Sequence, residues 1–215
     1  MLNIQRFVCN PYQENTYVVS DETGQCVIID CGAYFDDERM SLVEFITGNS
    51  LTPVHLLCTH GHFDHCMGID VVYETFGLEP ELSKKDEMLV THMEDQAMLF
   101  LGIEYERKIP PIGRFLAKGD VVEFGNHRLS VIETPGHTPG GISFYCEEEK
   151  VVFTGDTLFQ MSIGRTDFEG GNDHDMHHSL VEVLAKLPAE TVVWSGHGPK
   201  TTIGTEVMTN PYMRY

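Results

Sequence analysis

Basic residues are scarce in this sequence. Its 215 residues include 14 Lys and Arg against 33 Asp and Glu, which gives a formal net charge of −19. Such an excess of negative charge repels phosphate backbones and anionic membrane surfaces, and no local patch of Lys and Arg offsets it. We therefore predict that the protein binds neither nucleic acid nor a membrane.

Long apolar runs and cysteine pairs of the CxxC type are absent as well. No apolar run approaches the roughly 18 residues that span a bilayer, and the first residues, MLNIQRFVCNPYQENTYVV, lack the apolar core of a signal peptide. The six cysteines are Cys9, Cys26, Cys31, Cys58, Cys66 and Cys146. Their spacing predicts no disulfide framework, and three of them lie in apolar runs as small hydrophobic residues. These absences predict a soluble protein of the cytoplasm.

The length and the element pattern predict one domain over residues 1–215. This length supports one substantial core, and no long linker or low-complexity tract divides the chain. Apolar patterning predicts strands at 2–8, 16–20, 26–30, 54–58, 120–124, 127–133, 141–146, 150–154 and 191–194, and helices at 36–47, 86–101 and 173–187. Residues 70–118 otherwise give no clear pattern. Two strand-rich halves with helices predict two packed sheets covered by helices on the outside.

Histidine is concentrated in one short segment. His60, His62 and His65 fall within six residues, with Asp64 between the last two, where a predicted strand gives way to a helix. In a loop, side chains at i and i+2 can converge on one ion, while Asp64 and His65 face a neighbouring position. Neutral imidazole and carboxylate are ligands that zinc, iron and manganese accept. A buried cluster of this composition would be costly without a metal.

Three further candidate ligands lie at the ends of predicted strands. They are His137 in ETPGHTPG, Asp156 in FTGDTLF and His197 in WSGHGP, each flanked by glycine or proline. Such flanking residues allow the tight turns that direct a short side chain at a fixed point. The joint occurrence of these three with the histidine-rich segment predicts one metal site. We interpret His174, Asp175, His177 and His178 as a solvated first helical turn, and Cys66 as a helix-packing residue.

Five segments resemble the motifs of the metallo-β-lactamase-fold hydrolase superfamily. They are IIDCG, THGHFDH, TPGHTPG, FTGDTLF and SGHGP, in this order, within a resemblance that covers about residues 16–197. The resemblance implies an α/β (α+β) fold, a four-layer αβ/βα sandwich of two mixed β-sheets flanked by helices, with the metal site at the sheet edge.

The resemblance also implies a ligand set. His60, His62 and His137 would hold a first metal, Asp64, His65 and His197 a second, and Asp156 would bridge them. Asp30 in IIDCG would orient a ligand by hydrogen bonding, or be a simple turn residue. Two divalent ions are expected, zinc in the first place with iron or manganese as alternatives. Two metals about 3.5–4 Å apart would generate a hydroxide nucleophile from water, with Asp64 and Asp156 as the catalytic carboxylates.

Two segments narrow the expected activity. LFQMSIGRTDFEGGN and GHGPKTTIGTEVMTNPY resemble short glyoxalase II-like proteins, which implies a thioesterase of the hydroxyacylglutathione hydrolase type acting on a small acyl thioester or ester. Arg165 and Asp167 in this region are interpreted as a salt bridge that braces the loop. The pattern departs from full-length glyoxalase II, because only Lys200 and Arg214 are cationic after His197.

Other activities remain open at this point. A persulfide dioxygenase-like enzyme with one iron has a similar histidine loop and GRTD segment, but His197 in SGHGP favours the dinuclear hydrolase. A hydrolase of another ester or lactone fits the same ligand set. The charge argues against a nuclease, the absence of a signal peptide against a physiological β-lactamase, and the intact ligand set against a non-catalytic binding protein. The sequence leaves the oligomeric state and the metal identity open.

Overall fold

The first half of the chain forms a mixed six-stranded sheet. The structure, a computed structural model, describes residues 1–213, so Arg214 and Tyr215 lie outside the described residues. The strands, in spatial as well as chain order, are β1 (Asn3–Cys9), β2 (Glu14–Ser20), β3 (Gln25–Ile29), β4 (Thr52–Leu57), β5 (Pro80–Ser83) and β6 (Arg114–Leu116). β1–β3 pair antiparallel, whereas β3–β6 pair parallel.

Helices make the crossovers that the parallel strands of this sheet require. The helices are α1 (Asp36–Gly48) after β3, α2 (Phe63–Cys66) and α3 (Ile69–Phe76) after β4, and α4 (Glu87–Thr91) and α5 (Met93–Leu101) after β5. None of the helices in residues 1–213 is long and apolar enough to cross a membrane.

The second half forms another six-stranded sheet. Its strands are β7 (Val121–Phe124), β8 (His127–Glu133), β9 (Ile142–Cys146), β10 (Val151–Gly155), β13 (Val192–Ser195) and β14 (Thr201–Thr202), in the spatial order β14–β13–β10–β9–β8–β7. A small hairpin of β11 (Leu158–Phe159) and β12 (Ser162–Ile163) follows β10. α6 (Asp173–His178) continues through a π-helical turn (Ser179–Val183) and a 3₁₀ turn (Leu184–Lys186), and α7 (Ile203–Thr209) follows β14.

Three apolar clusters divide the molecule into four layers. Neighbouring residues of a strand point to opposite faces of its sheet, so Val18 packs with Leu42 of α1 while Val19 packs between the two sheets. On the far side of the second sheet, Val152 packs with Leu180 of the extended α6 segment. The order helix, sheet, sheet, helix confirms the predicted αβ/βα sandwich.

All nine predicted strands occur within two residues of their predicted ends. The predicted helices at 36–47 and 173–187 correspond to α1 and to the helical run from α6 to Lys186. The prediction of one helix over 86–101 was wrong, because the chain breaks between α4 and α5 at His92, whose φ and ψ are −120° and 41°. The bend lets Val90 and Met93 both reach the core, where both are fully buried. The sequence did not predict α3, β5, β6, α7 or the two-residue strands β11, β12 and β14.

Candidate metal centre

The seven predicted ligands meet at one edge of the sandwich, between the two sheets. His60, His62, Asp64 and His65 follow β4 of the first sheet. His137, Asp156 and His197 follow β8, β10 and β13 of the second sheet, whose carboxyl ends lie on the same side because these three strands run parallel to one another. The structure therefore brings together residues that lie up to 137 positions apart in the sequence.

Three imidazoles form the first group. One ring nitrogen each from His60, His62 and His137 lies within 4.8 Å of the others, and His62 Nδ1 is 2.8 Å from His137 Nε2. His137 Nδ1 donates a hydrogen bond to the carbonyl of Arg165 at 2.6 Å, which leaves Nε2 with its lone pair facing the group. His60 Nε2 is buried and has no hydrogen-bond partner among the described residues.

Asp64, His65 and His197 form the second group. His197 Nε2 is 3.2 Å from His65 Nε2 and 3.3 Å from Asp64 Oδ2. His197 Nδ1 donates to the carbonyl of Tyr12 at 3.0 Å, which fixes the ring. Asp156 contacts both groups: its Oδ1 is 3.3 Å from His65 Nε2, and its Oδ2 is 3.5 Å from His137 Nε2 and from His197 Nε2. Asp156 thus occupies the shared position that the resemblance implies for a bridging ligand.

Burial keeps His60 and His62 of the first group neutral. It lowers the pKa of His60 well below the usual value and that of His62 to about 3, with nearby histidines adding to the effect. Neutral imidazole is the form that binds a metal. Burial opposes ionisation of Asp156, but His65 and His197 hold its pKa well below the usual value.

The second group differs from His60 and His62 in its protonation. Burial disfavours a charged His65, but Asp156, Asp64 and Asp30 together raise its pKa well above the usual value. Without a metal, a proton on His65 therefore takes the place of a cation among these carboxylates. His60 Nε2 and Asp156 Oδ1 are buried and make no hydrogen bond among the described residues. Together with the inward lone pairs of the other ligands, they form a donor set that fits divalent cations.

Asp30 orients part of this set. Its Oδ2 lies 2.9 Å from His65 Nδ1, and it accepts hydrogen bonds from the backbone N–H and hydroxyl of Thr59 at 2.7 and 2.8 Å. The same hydroxyl lies 3.0 Å from His60 Nδ1, so its oxygen can accept a hydrogen bond from that ring's N–H. Asp30 is also a turn residue, with a left-handed φ of 52°. Asp30 is therefore both a turn residue and a residue that orients a ligand by hydrogen bonding.

Asp86 is a supporting residue that the sequence did not identify. Its buried carboxylate accepts hydrogen bonds from the N–H of Gly61 at 3.0 Å, the hydroxyl of Thr138 at 2.7 Å and the N–H of Gly140 at 2.7 Å. Burial raises its pKa. Gly61 separates His60 from His62, and Thr138 follows His137, so Asp86 connects the two loops of the first group. It lies in the segment 70–118, where no local pattern marks it.

The remaining histidine-rich segment takes no part in the centre. His174 at the start of α6 has a side chain that is 92% exposed, and none of its neighbours belongs to the metal-ligating groups found in residues 1–213. Cys66 is buried, and its thiol lies 3.8 Å from the carbonyl of His60. A hydrogen bond with Cys58 and burial raise the pKa of Cys66, so the position fits packing rather than metal binding.

The family model of the metallo-beta-lactamase superfamily matches residues 9–197. The chain belongs to this superfamily of metallo-hydrolases. It is 34% identical over 213 residues to the hydroxyacylglutathione hydrolase GloC of Haemophilus influenzae, which covers 99% of this chain and 98% of that protein. Two solved structures are also similar along their whole length.

The first of these structures is the BLEG-1 B3 metallo-beta-lactamase. It superposes with a TM-score of 0.91 and 34% identity, covering 99% of this chain and all of that one. The second is TTHA1623 in a di-iron-bound form, with a TM-score of 0.83, 36% identity and coverage of 97% and 99%. Both likenesses extend over the region that contains the seven grouped ligands.

This superfamily member has a cleft above the grouped ligands. The cleft has a volume of about 280 Å³. Its floor consists of His62, Asp64, His137, Asp156 and His197, and its walls are Tyr12, Phe63, Phe100, Phe159, Ile163, Gly164, Arg165 and Phe168. Arg165 pairs with Asp167 through two hydrogen bonds of 2.9 and 2.7 Å, as predicted. A substrate would therefore reach the grouped ligands through a largely aromatic opening.

Proposed function

We propose that the protein is a metal-dependent thioesterase of the glyoxalase II type, which hydrolyses a small acyl thioester or ester. The observation that carries this proposal is the arrangement of two ligand groups with Asp156 in contact with both. The similarity to GloC, whose name is that of a hydroxyacylglutathione hydrolase, supports the thioester as substrate.

The centre would hold two divalent ions. His60, His62 and His137 would hold the first, Asp64, His65 and His197 the second, and Asp156 would contact both. Zinc is our first choice, with iron and manganese as alternatives that the same ligands accept. When bound, the ions supply Lewis-acid chemistry, which acidifies water and polarises an acyl carbonyl.

The protein's own residues contribute orientation and proton transfer. The Arg165 carbonyl, the Tyr12 carbonyl and Asp30 fix the rings of His137, His197 and His65. Burial raises the pKa of Asp64, but His65 and His197 more than offset this effect and keep the carboxylate ionised. Because Asp64 lines the cleft, it is placed to accept a proton from the attacking water. A thiolate leaves readily, since free thiols ionise near a pKa of about 8.5.

Two other activities are alternatives to this proposal. Hydrolysis of a β-lactam is the second candidate activity, because the BLEG-1 B3 metallo-beta-lactamase is similar over 99% of this chain. A persulfide dioxygenase-like reaction needs one iron, so the complete second group of Asp64, His65 and His197 favours the hydrolase. Oxygen consumption with a persulfide would distinguish that reaction.

The test measures initial rates of thioester hydrolysis with each metal supplied separately. The purified protein is freed of metal, reloaded with zinc, iron or manganese, and assayed with S-D-lactoylglutathione, a neutral thioester and a β-lactam. We expect kcat/KM above roughly 10⁴ M⁻¹s⁻¹ for a thioester with at least one metal.

The control variants are His60→Ala and His174→Ala. His60→Ala removes a buried ligand and should abolish the activity while circular dichroism stays unchanged. His174→Ala removes an exposed histidine outside the centre and should leave the rate unchanged. Activity that survives complete metal removal would overturn the mechanism, and a preference for the β-lactam would overturn the substrate assignment.

A further inference from the structure

The cleft above the metal centre has a continuous aromatic wall. Phe63 and Phe100 stack with a centroid distance of 5.5 Å and an interplanar angle of 2°, and Phe168 meets the edge of Phe100 at 5.4 Å. Tyr12 meets Phe63 at 5.4 Å. These rings come from the segments around β2, α2, α5 and the loop before α6. All four side chains line the cleft, so they form one aromatic surface beside the floor.

The wall reaches the metal ligands directly. The Phe168 ring lies 5.8 Å from the His62 ring and 6.4 Å from the His137 ring, both measured between centroids. On the other side, Phe159 lies 6.0 Å from His197. A substrate whose carbonyl is on the floor would therefore have its neighbouring substituent against aromatic side chains. Phe100 is 36% exposed, so part of this surface is open to such a substituent.

The walls of the cleft offer little positive charge to an anion. Among the described residues that line it, Arg165 carries the only permanent positive charge. Its guanidinium is already paired with the carboxylate of Asp167 and lies 4.2 Å from the centre of the Phe168 ring. Ions bound at the floor would face the acyl carbonyl, so the rest of a thioester would lie against the walls. A carboxylate-bearing thiol portion such as glutathione would lose hydration there without an unpaired cationic side chain beside it.

We propose that the substrate of this site is an uncharged thioester whose acyl group is apolar and planar, such as an aryl-acyl group, rather than a glutathione thioester. The proposal rests on the thioesterase function above. Burying an apolar ring against aromatic faces is favourable, while the paired Arg165 gives no equivalent advantage to an anionic thiol portion.

A two-by-two set of thioesters tests this specificity with the metal-loaded protein. Phenylacetyl and acetyl groups are each joined to glutathione and to N-acetylcysteamine, a neutral thiol. We expect kcat/KM for phenylacetyl-N-acetylcysteamine to exceed that for acetyl-N-acetylcysteamine by about tenfold or more, which is about 1.4 kcal/mol. With the same acyl group, the neutral thiol is expected to be preferred to glutathione.

Variants of the wall separate binding from general damage. Phe100→Ala and Phe168→Ala should reduce the preference for phenylacetyl over acetyl towards unity, measured as the ratio of the two kcat/KM values in each variant. Phe100→Leu keeps an apolar contact without the ring and should be intermediate, which covers the case in which the alanine variant folds poorly. Phe115→Ala is the matched control, because Phe115 on β6 is 40% exposed and lies outside the cleft.

Asp167→Asn tests the electrostatic part. Removing the partner of Arg165 leaves an unpaired guanidinium at the rim, so hydrolysis of the glutathione thioesters should rise severalfold at low ionic strength. The neutral thioesters should be unaffected, and added salt should suppress the gain. Unchanged selectivity in this variant would contradict the role assigned to the Arg165–Asp167 pair.

The outcomes distinguish the two proposals. If the metal-loaded protein hydrolyses none of the four thioesters and matches His60→Ala, the thioesterase function itself is overturned. If it hydrolyses glutathione thioesters as well as neutral ones, or shows no preference for the aromatic acyl group, the function stands and the specificity proposed here is overturned.

Discussion

Asp86 is a buried carboxylate without a cationic partner at hydrogen-bond distance among the described residues. Three donors from two loops satisfy its oxygens, which is how a buried carboxylate is tolerated. The N–H of Gly61 and the hydroxyl of Thr138 bind the same oxygen, Oδ2, while the N–H of Gly140 binds Oδ1. The carboxylate therefore sets the distance between the loop of His60 and His62 and the loop of His137.

Asp86→Asn should weaken metal binding as well as stability. An asparagine at this position presents one NH₂ group to a site where every neighbour is a donor, so at least one hydrogen bond is lost. We expect the free energy of unfolding to fall by about 1–3 kcal/mol. The affinity for the first metal should fall about tenfold or more, measured as metal content after dialysis against a competing chelator.

Asp120→Asn provides the control for this substitution. Asp120 also accepts a backbone hydrogen bond, from Ala117, but in an exposed loop far from the ligands in the sequence. Its variant should keep its metal content. If Asp86→Asn loses stability but binds metal as tightly as the wild type, Asp86 serves the fold alone and does not position the first group.

Two glycines beside the ligands are required because any side chain at these positions would clash with residues in or next to the centre. A Cβ on Gly196 would lie 2.2 Å from Asp156 Oδ1, and a Cβ on Gly155 would lie 2.2 Å from the hydroxyl of Thr59. Gly155 also has a left-handed φ of 49°. The motifs FTGD and SGHG were visible in the sequence because the backbone must approach the centre this closely.

At the scale of elements, adjacent strands of the first sheet share an ion pair outside the centre. His55 on β4 lies next to Glu81 on β5, and its other ring nitrogen is 3.2 Å from the carbonyl of Glu123. The hydrogen bond with Glu81 raises the pKa of His55, although burial opposes the shift. His55 therefore joins the two strands at the point where the first sheet faces β7 of the second sheet.

This pair predicts a pH-dependent part of the stability. A raised folded-state pKa means that the contribution is complete below the unfolded value of 6.5 and is lost as the pH rises through the folded pKa. Urea unfolding of the metal-free protein at about pH 6 and about pH 9 should therefore show a larger loss of stability in the wild type than in His55→Gln.

The comparison needs a histidine that lacks such a partner in the sheet. His174→Gln replaces a side chain that is 92% exposed, and it should retain the wild-type difference between the two pH values. A His55→Gln protein with the full wild-type difference would show that other groups account for the dependence.

Elements with a strong local pattern were predictable from the sequence. The nine predicted strands have apolar periodicity and are bounded by turn residues, so only their ends differ. β5 and β6 did not have this signal: β5 is the short segment PELS, which buries a proline and a glutamate, and β6 has three residues. These two strands exist because β5 pairs parallel with β4 and β6 pairs parallel with β5, which continues the sheet and is a tertiary effect.

The ligand set was predictable for a different reason from the cleft. His137, Asp156 and His197 follow strands beside glycine or proline, and the other four candidates share one histidine-rich segment, so ligand chemistry is concentrated in short motifs. The aromatic wall has no such motif, because Tyr12, Phe63, Phe100 and Phe168 come from four separate segments and are unremarkable one by one. Only the fold places them over the same floor.

At the scale of the whole molecule, charge and metal binding are coupled. The formal charge of −19 disfavours the compact state through self-repulsion, and Asp64 and Asp156 concentrate negative charge at one edge. Two divalent ions would add four positive charges at this edge. Ions that bind only the folded state also stabilise it by mass action, by about 2.7 kcal/mol at a concentration one hundred times the Kd.

Chelation should therefore lower the midpoint temperature of thermal unfolding. Added salt should reduce the difference in midpoint between the metal-loaded and the metal-free protein. A stabilisation of about 2.7 kcal/mol corresponds to roughly 5–10 °C for a chain of this size, measured by calorimetry at low ionic strength. Raising the salt concentration screens the self-repulsion, so the midpoint of the metal-free protein should rise more than that of the loaded protein. His60→Ala should respond less to the chelator, because its first group is incomplete. Equal midpoints with and without metal at low salt would mean that the grouped ligands bind no ion tightly. A proton on His65 would then be enough to offset the negative charge of the carboxylates around it.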